Sequence, residues 1–583
     1  MSQIRHILSH TPTGLGQIPK PLMLLERGVK AIIVAMIVLG LHRVFIANIN
    51  WDEFYFLSLV HLYQNGDLTA PLQTIHVHLF GWLPLVSDNE IHQIFAARVF
   101  MWCLSLGSCW MIYDISRKFC SREAALFPVL FYLGFSYVAD HVLSFRADPL
   151  CAFLFLASLH LLLGKDRSRI HMVISAIFMS AAIMVSIKSI FYLATIGPVL
   201  LTLSLMEPVK RGAELRGFVF IIAGVLASFV LFQWHSSTLT NATATEAGAA
   251  MMSAGSKTLL SGPFFPQAYF IVRALAENGI IWLFIFSGLW KAGHDAWRGD
   301  NRHRSLILLS FALPLLSLVI YRNAFPYFFV FLMPAVVILG GISADLLITR
   351  LRQSASRIPA AIFGGTLMLI SASLVTSHFK KLPDQTIAQR EVVAAIHGMY
   401  GEPVPYLDRN SMMSSFPKAG FYMSGWGMEN YRARKSAIME DLMRREQPRF
   451  LIANSCALNI SMASNTSDAT CQHRLLDRDF HILRANFVHH WGPIYVIGKT
   501  FDIGVPGVPQ SFQIFVSGIY TLEAAAPVSI DGVVYQPGDR VRLDQAPHNI
   551  AATGGPTRAE LRLGDRLYKP NTPPTAEPLY YRF

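Results

Sequence analysis

Ionisable residues that could carry out group-transfer chemistry recur at a few turns in the first two thirds of the chain. They comprise carboxylates, imidazoles, guanidinium groups and an amine, and each group lies beside a long apolar run. Where such runs cross a membrane, ionisable groups at the same depth are costly, so their positions indicate function. The candidate site residues are Asp52, Glu53, His76, His78, Arg146, Asp148, Lys188, Arg322 and Tyr327.

These residue types suit transfer of a group from an anionic, lipid-linked donor. Arg, Lys and His supply the cations and N–H donors that a phosphate or pyrophosphate requires. A carboxylate can take the proton from an acceptor hydroxyl. Fixed cations can stabilise the charge that grows on a leaving phosphate. Sugar transfer is a reaction that uses all of these functions.

Each candidate also has a structural alternative. Acidic residues such as Asp52 and Glu53 are favoured at helix N-termini. Imidazoles and long cationic side chains can lie at a membrane interface with their polar tips in water. Arg146 and Asp148 stand two residues apart before Pro149 and could form an ion pair that closes a turn.

The apolar runs beside these residues are long enough to cross a membrane. The chain has 583 residues, of which 53% are hydrophobic and 15% charged, whereas soluble domains average roughly a quarter charged. Segments able to cross about 30 Å of hydrocarbon predict about 11 spanning helices. The spans lie near 27–48, 94–114, 123–142, 149–164, 170–187, 189–206, 217–233, 268–290, 305–321, 326–346 and 358–378.

Alternate loops between these spans are basic, which predicts the orientation of the chain. One such loop holds Arg117, Lys118 and Arg122, and the basic loops are cytoplasmic by the positive-inside rule. The candidate site residues and the chain from 380 onward then lie on the extracytoplasmic side. Their shared location on one membrane face is harder to explain by local structure than any single residue is.

The net charge of +12 does not indicate a nucleic-acid partner, because the basic residues form small clusters between apolar runs and no continuous stripe. We expect residues 1–30 to be a cytoplasmic N-terminus. No cleavage pattern follows the first apolar run, which predicts an uncleaved spanning helix.

The composition changes after 380 and divides the chain into a transmembrane part, 31–380, and two smaller domains. Helical patterns alternate with apolar strands over 381–502, which predicts an α/β domain. Short strands and the Asp531-Gly532 hairpin signal over 503–583 predict a small β-sandwich, either a sugar-binding module or a structural cover. Cys456 and Cys471 fall in the external part, where a disulfide could persist, although two free buried thiols are the alternative.

Taken together, these motifs resemble the GT-C superfamily of membrane glycosyltransferases, which includes protein O-mannosyltransferases and lipid A aminoarabinose transferases. The acidic pair Asp52-Glu53 follows the first span, and Ser-Phe-Arg146-Ala-Asp148-Pro-Leu opens a later helix. Arg322-Asn-Ala-Phe-Pro-Tyr327 leads into another apolar helix. The resemblance covers roughly residues 30–380.

The resemblance implies roles for several residues. Asp52 would be the catalytic base or would orient the acceptor, with Glu53 beside it. His76 and His78 fall where related enzymes place a basic or metal-binding group near the donor phosphate, but the Lys-Pro-Pro run of some relatives is absent. Some members use a divalent metal and others use none. The residues that could contribute to a cation site, without tight ligand spacing, are Asp52, His76, His78 and Asp148.

The sequence therefore predicts a polytopic α-helical membrane enzyme with an extracytoplasmic α/β and β-sandwich region. It would move a sugar, with inversion, from a polyprenyl-phosphate donor to a lipid, glycan or protein acceptor. We expect it in the bacterial inner membrane. The alternatives are a transporter or lipid-linked oligosaccharide flippase, which would show inverted repeats and midplane charges, and a noncatalytic receptor.

Overall fold

The computed structural model describes residues 20–164, 168–206, 211–240, 263–353, 358–380, 383–462, 471 and 473–581. We refer to residues 20–380 as the membrane region and to residues 383–581 as the C-terminal region. Most of the expected cytoplasmic N-terminus, residues 1–19, lies outside the described residues.

The membrane region consists of helices joined by short turns. In chain order they are α1 Lys20–Ile46, α2 Trp51–Gln64, α3 Val77–Phe80, α4 Glu90–Ser116, α5 Leu126–Gly134, α6 Ser136–His141, α7 Ala147–Leu162, α8 Arg169–Val185, α9 Leu193–Met206, α10 Arg211–Ser237, α11 Ala268–Glu277, α12 Gly279–Arg298, α13 Arg302–Ser310, α14 Ser317–Ile320, α15 Phe328–Gln353 and α16 Ile358–Lys380. Short 3₁₀ helices cover Leu83–Leu85, Ile187–Tyr192 and Leu313–Leu316.

Each predicted span contains helix, and the protein is a multi-pass membrane protein. Within the described residues, six helices are long and apolar enough to cross a membrane, or seven when a bent pair counts as one span. The exact number of spans therefore remains a prediction. The expected span near 268–290 consists of two helices, because α11 and α12 meet at 94°. Asn278 at this break donates its side-chain amide to the Ala274 carbonyl (2.9 Å) and to Ser136 Oγ (3.0 Å).

Helix α15 forms the centre of the membrane region, and every residue from Phe328 to Ala344 is buried. It packs against α5, α7 and α12. Small residues allow these helices to approach closely: a Cβ placed on Gly288 of α12 would lie 1.9 Å from the Leu339 carbonyl oxygen of α15. This packing fixes the start of α15, which Tyr327 immediately precedes.

The C-terminal region combines helices with two sheets. Its helices are α17 Ile387–Met399, α18 Gly425–Arg434, α19 Met439–Glu446 and α20 Asp477–Asn486. Its strands are β1 Tyr406–Leu407, β2 Phe450–Ile452, β3 Phe487–Trp491, β4 Ile494–Ile503, β5 Gln510–Gln513, β6 Gly518–Ala524, β7 Val528–Ile530, β8 Val533–Tyr535, β9 Arg540–Leu543, β10 Pro547–Ala552 and β11 Thr557–Leu563.

One sheet crosses the expected domain boundary at 502. The seven-stranded sheet has the order β1-β2-β4-β11-β6-β9, with β3 also paired to β4, and the four-stranded sheet has the order β5-β10-β7-β8. Strand β4 contains Ile503 and pairs with β11 along most of its length. Strands from 381–502 and strands from 503–583 therefore share the seven-stranded sheet, which local periodicity could not reveal.

Local features of this region agree with their sequence signals. Asp531 and Gly532 both adopt positive φ, 48° and 86°, and join β7 to β8 as a hairpin. The structure joins Cys456 to Cys471 in a disulfide with an S–S distance of 2.05 Å. The disulfide closes a segment next to the 3₁₀ turn Cys456–Leu458.

The C-terminal region docks on the turn between α1 and α2. The side-chain amide of Asn48 donates to the carbonyls of Gln385 (3.0 Å) and Leu579 (3.1 Å). Ser414 Oγ donates to the Phe54 carbonyl (2.8 Å). These bonds involve buried or half-buried polar groups, so the two regions satisfy each other's hydrogen-bonding requirements at their contact.

The close contact of α12 with α15 predicts the effect of a methyl group at Gly288. Gly288→Ala should destabilise the fold by about 1–3 kcal/mol, because the backbone carbonyl of Leu339 cannot move aside easily. Thermal unfolding of purified protein in detergent would show a lower melting temperature. The matched control on the same helix is Gly293→Ala, which has no atom within 4 Å of the new Cβ. Equal melting temperatures for the two variants would contradict the predicted packing.

Candidate active site

Asp52 lies in the first turn of α2, where the local sequence fixes its position. Asn50 caps the helix by accepting a hydrogen bond from the Asp52 backbone N–H (3.0 Å), and the Glu53 carboxylate accepts from the Asn50 N–H (3.0 Å). Such a capping box satisfies backbone donors that would otherwise be unpaired at the helix start. The Asp52 side chain stays 22% exposed, so it is accessible to a ligand.

Glu53 points into the protein and forms a fully buried ion pair with Arg98 of α4. Arg98 Nη2 lies 2.6 Å from one Glu53 oxygen, and Arg98 Nε lies 2.8 Å from the other. The Phe145 backbone N–H also donates to Glu53 (2.8 Å). Glu53 was predicted beside Asp52 as a catalytic carboxylate, but its oxygens are fully engaged in holding α2, α4 and the turn before α7. This placement favours a structural role.

Four charged side chains form a continuous series that we call the charged row: Asp52, Arg146, Asp148 and Lys188. Arg146 Nη1 donates to Asp52, and Lys188 Nζ donates to Asp148. Arg146 Nε lies 3.8 Å from Asp148, which links the two pairs. Arg146, Asp148 and Lys188 are all buried. Two carboxylates alternate with two cations, so the row is neutral, as buried charges require.

Different elements bring the row together. Arg146 caps α7, Asp148 lies in its first turn, and Lys188 lies in the 3₁₀ turn Ile187–Tyr192. Tyr327, just before α15, places its ring 3.7 Å from the Arg146 guanidinium carbon, a cation–π contact that supports the planar group. Five of the nine predicted site residues therefore meet here.

The C-terminal region supplies a residue that the sequence analysis did not find. The Tyr422 hydroxyl donates to Asp52 Oδ1 (3.1 Å), and its ring stacks on Tyr55 with centroids 4.2 Å apart. Burial and the Asp52 charge raise the pKa of Tyr422 well above its usual value. Tyr422 lies 370 positions after Asp52 and belongs to no recognisable motif, so no sequence signal linked them.

His76 and His78 lie apart from the charged row. His76 is buried between Phe56 and Phe145, with ring centroids 5.0 and 6.3 Å away, and burial lowers the pKa of His76 to about 4. Neither imidazole contacts Asp52, Arg146 or Asp148 within the described part of the chain. His76 is therefore packed as a neutral side chain.

His78 belongs to a hydrogen-bonded chain at the end of α10. The Thr74 hydroxyl donates to the Pro71 carbonyl (2.9 Å), so its oxygen accepts from His235 Nε2 (2.5 Å). His235 Nδ1 then accepts from His78 Nε2 (2.9 Å). Both rings are neutral in this arrangement.

The other predicted groups do not join the row. Arg322 forms an ion pair with Glu429 of α18 (2.9 Å) and lies 5.2 Å from the Trp426 ring, so it links the two regions at the protein surface. The proposed metal ligands also do not converge. Among the residues that the structure describes, no group of three or more His, Cys, Asp or Glu side chains could hold a metal ion.

The fold and this site together define a multi-pass membrane protein with an ion-paired carboxylate just after its first long helix. No protein-family profile matches the chain, and neither does any curated protein sequence. Solved structures do match. ArnT from Cupriavidus metallidurans bound to undecaprenyl phosphate has a TM-score of 0.51 at 14% identity, covering 72% of this chain and 92% of ArnT.

A second match extends over nearly the whole chain. The apo oligosaccharyltransferase of Archaeoglobus fulgidus has a TM-score of 0.53 at 9% identity, covering 94% of this chain and 98% of its own. The same archaeal enzyme, AglB, with an inhibitory peptide and a dolichol-phosphate has a TM-score of 0.50 at 8% identity. These similarities confirm the fold that the sequence resemblance predicted, which this chain shares with ArnT and the archaeal oligosaccharyltransferase.

The buried position of Glu53 predicts that its charge is needed for folding. Glu53→Gln leaves the Arg98 guanidinium buried without a counter-ion and should cost about 3–5 kcal/mol. Thermal unfolding in detergent would detect this loss. The control Glu277→Gln removes an exposed pair with Arg273 and should cost less than about 1 kcal/mol. A Glu53→Gln protein as stable as its parent but inactive would instead support a chemical role.

Proposed function

We propose that this protein is a membrane glycosyltransferase. It transfers a sugar from a polyprenyl-phosphate-linked donor to a lipid, glycan or protein acceptor on the extracytoplasmic face of the membrane. The observation that carries the proposal is the charged row, in which the accessible Asp52 carboxylate adjoins two buried cations. The fold similarity supports it, since the similar structures include one bound to undecaprenyl phosphate and one with a dolichol-phosphate.

In this proposal Asp52 is the base. Its carboxylate accepts the proton of the acceptor hydroxyl as the hydroxyl oxygen attacks the anomeric carbon of the sugar. The bond between that carbon and the phosphate oxygen breaks, and its electron pair leaves on the polyprenyl phosphate. Attack from the face opposite the phosphate inverts the anomeric configuration. Every proton and electron pair is accounted for without a cofactor.

Arg146 and Lys188 bind the phosphate and stabilise the charge that it gains when the bond breaks. Both cations are paired with carboxylates in the structure. An incoming phosphate competes with Asp52 for Arg146, and this exchange frees a carboxylate oxygen for the acceptor. Asp148 lies between the two cations and holds both of them in position. We assign no role in transfer to His76, His78 or Arg322, which lie outside the row.

The charge distribution supports the proposed location. The sequence predicts that the basic loops and Asp52 lie on opposite sides of the membrane, and the positive-inside rule then supports an extracytoplasmic site. The protein would then be a multi-pass protein of the bacterial inner membrane. Its lipid-linked donor would enter the row from the outer leaflet.

The base assignment predicts that Asp52→Asn abolishes transfer. The amide cannot accept a proton at neutral pH, so the rate should fall at least about 100-fold. Purified protein in lipid would be assayed with a panel of polyprenyl-phosphate sugars, with thermal unfolding as a check of folding. Asp140→Asn is the matched control, because Asp140 pairs with Arg43 at a partly exposed position outside the charged row. A fully active Asp52→Asn protein would exclude Asp52 as the base.

The phosphate-binding assignment predicts that Lys188→Gln weakens binding of undecaprenyl phosphate about tenfold, because one charge-assisted contact is lost. Native mass spectrometry or thermal stabilisation by the lipid would measure this. Lys291→Gln removes a lysine paired with Asp295 on α12 and should leave binding unchanged. If Lys188→Gln is too unstable to assay, the double variant with Asp148→Asn is measured in its place, because it removes both charges of that pair. Unchanged affinity in both variants would overturn the assignment.

A further inference from the structure

Helix α2 presents three neighbouring side chains to the C-terminal region. Trp51 and Asp52 each lie about one turn before Tyr55, so all three side chains are neighbours on the helix. Arg409 lies over the Trp51 ring at 5.5 Å, and Tyr422 covers both Tyr55 and Asp52. A part of the chain remote in sequence therefore closes over the carboxylate that we propose as the base.

We propose that Tyr422, supplied by the C-terminal region, is a positioning residue that holds the Asp52 carboxylate ready to take a proton. This inference rests on the proposed function. The two Asp52 oxygens have separate partners: Arg146 donates to Oδ2 and the Tyr422 hydroxyl donates to Oδ1 at 3.1 Å. Two donors on different oxygens fix the rotation of the carboxylate about its last side-chain bond. A base must be held within a few tenths of an ångström of its productive geometry.

The Tyr422 ring packs against the helix that carries Asp52. Its centroid lies 4.2 Å from that of Tyr55, with the rings 26° from parallel. Because Tyr55 and Asp52 share helix α2, the stacking fixes the hydroxyl relative to the carboxylate. The raised pKa of Tyr422 keeps its hydroxyl protonated, so it remains a donor over the whole working pH range.

The backbone around Tyr422 is also held firmly. Met423, the residue after Tyr422, forms two hydrogen bonds with Arg409. The Met423 N–H donates to the Arg409 carbonyl (2.9 Å), and Arg409 Nε donates to the Met423 carbonyl (3.1 Å). Ser424 then caps α18 by accepting from the Gly427 N–H (3.0 Å). A Cβ on Gly427 would lie 2.2 Å from the Tyr422 carbonyl oxygen, so this close turn requires glycine.

The consequence is that the site is complete only when the C-terminal region is docked. When it is, Tyr422 holds the second oxygen of a carboxylate whose first oxygen is already held by Arg146. Docking and transfer are then coupled through one hydroxyl group.

The test is Tyr422→Phe, which keeps the ring and removes only the hydroxyl. We expect kcat to fall about tenfold while KM for the donor changes less than about twofold, because the lost bond is one charge-assisted hydrogen bond to the base. Arg146, Asp148, Tyr55 and Tyr327 also face Asp52 and are unchanged in this variant.

The matched control is Tyr431→Phe, which removes a hydroxyl bonded to Asp479 inside the C-terminal region (2.5 Å). Its kcat and its KM for the donor should match those of the parent. Gly427→Ala provides a second variant, because it displaces the Tyr422 backbone and leaves the hydroxyl present; its kcat should also fall.

The possible outcomes separate the two proposals. A Tyr422→Phe protein with parental kcat overturns the positioning role. Unchanged kcat with a lower KM for the acceptor also overturns it, since Tyr422 would then merely occupy the acceptor's place. An active Asp52→Asn protein would instead remove the proposed base, whatever Tyr422→Phe does.

Discussion

The buried ion pair between Glu53 and Arg98 determines how the first two helices of the protein meet. Arg98 donates to both Glu53 oxygens and also to the carbonyls of Ala47 (2.8 Å) and Asn48 (2.9 Å) at the end of α1. One guanidinium group therefore satisfies the last carbonyls of α1 and the carboxylate that caps α2. Without this pair, the turn would leave buried polar groups unpaired, and the direction of Asp52 would not be defined.

The charged row obeys the same constraint, namely that buried charged groups must be paired. Buried cations cannot be kept unpaired, so Arg146 and Lys188 are neutralised by Asp52 and Asp148. In the proposed function, phosphate binding is therefore an exchange of partners. The tyrosine ring under Arg146 adds attraction that needs no counter-charge, and it keeps the guanidinium plane in place during such an exchange.

The contact between the two regions gives the C-terminal region a second role besides covering the membrane region. Its inner surface donates Tyr422 to Asp52, and its continuous seven-stranded sheet provides a rigid base for the connecting segments. The hydrogen bonds of Asn48 and Ser414 fix the relative position of the two regions close to the charged row. The proposed base therefore lies where three parts of the chain that are distant in sequence meet: the start of α2, the start of α7 and the segment before α18.

The sequence by itself determined the features that depend on local periodicity and composition. The apolar runs predicted the helices of the membrane region, and Asp531-Gly532 predicted its hairpin. The orientation that the charge alternation indicates stays a prediction. The short motifs also identified Asp52, Arg146, Asp148, Lys188 and Tyr327, because ionisable groups at the ends of apolar helices are rare enough to be informative. Helix α20 and strands β3, β10 and β11 carried weaker patterns and were not predicted.

Only the tertiary structure decided which of these polar residues act together. Glu53 and Asp52 are adjacent in sequence, but successive residues on a helix point about 100° apart, so one is buried against Arg98 and the other faces the charged row. Tyr422 and Asp52 are distant in sequence and meet through packing of two regions. Local sequence sets the secondary structure and the membrane side of a residue. Contacts between distant elements depend on packing of the whole chain, which no short motif encodes.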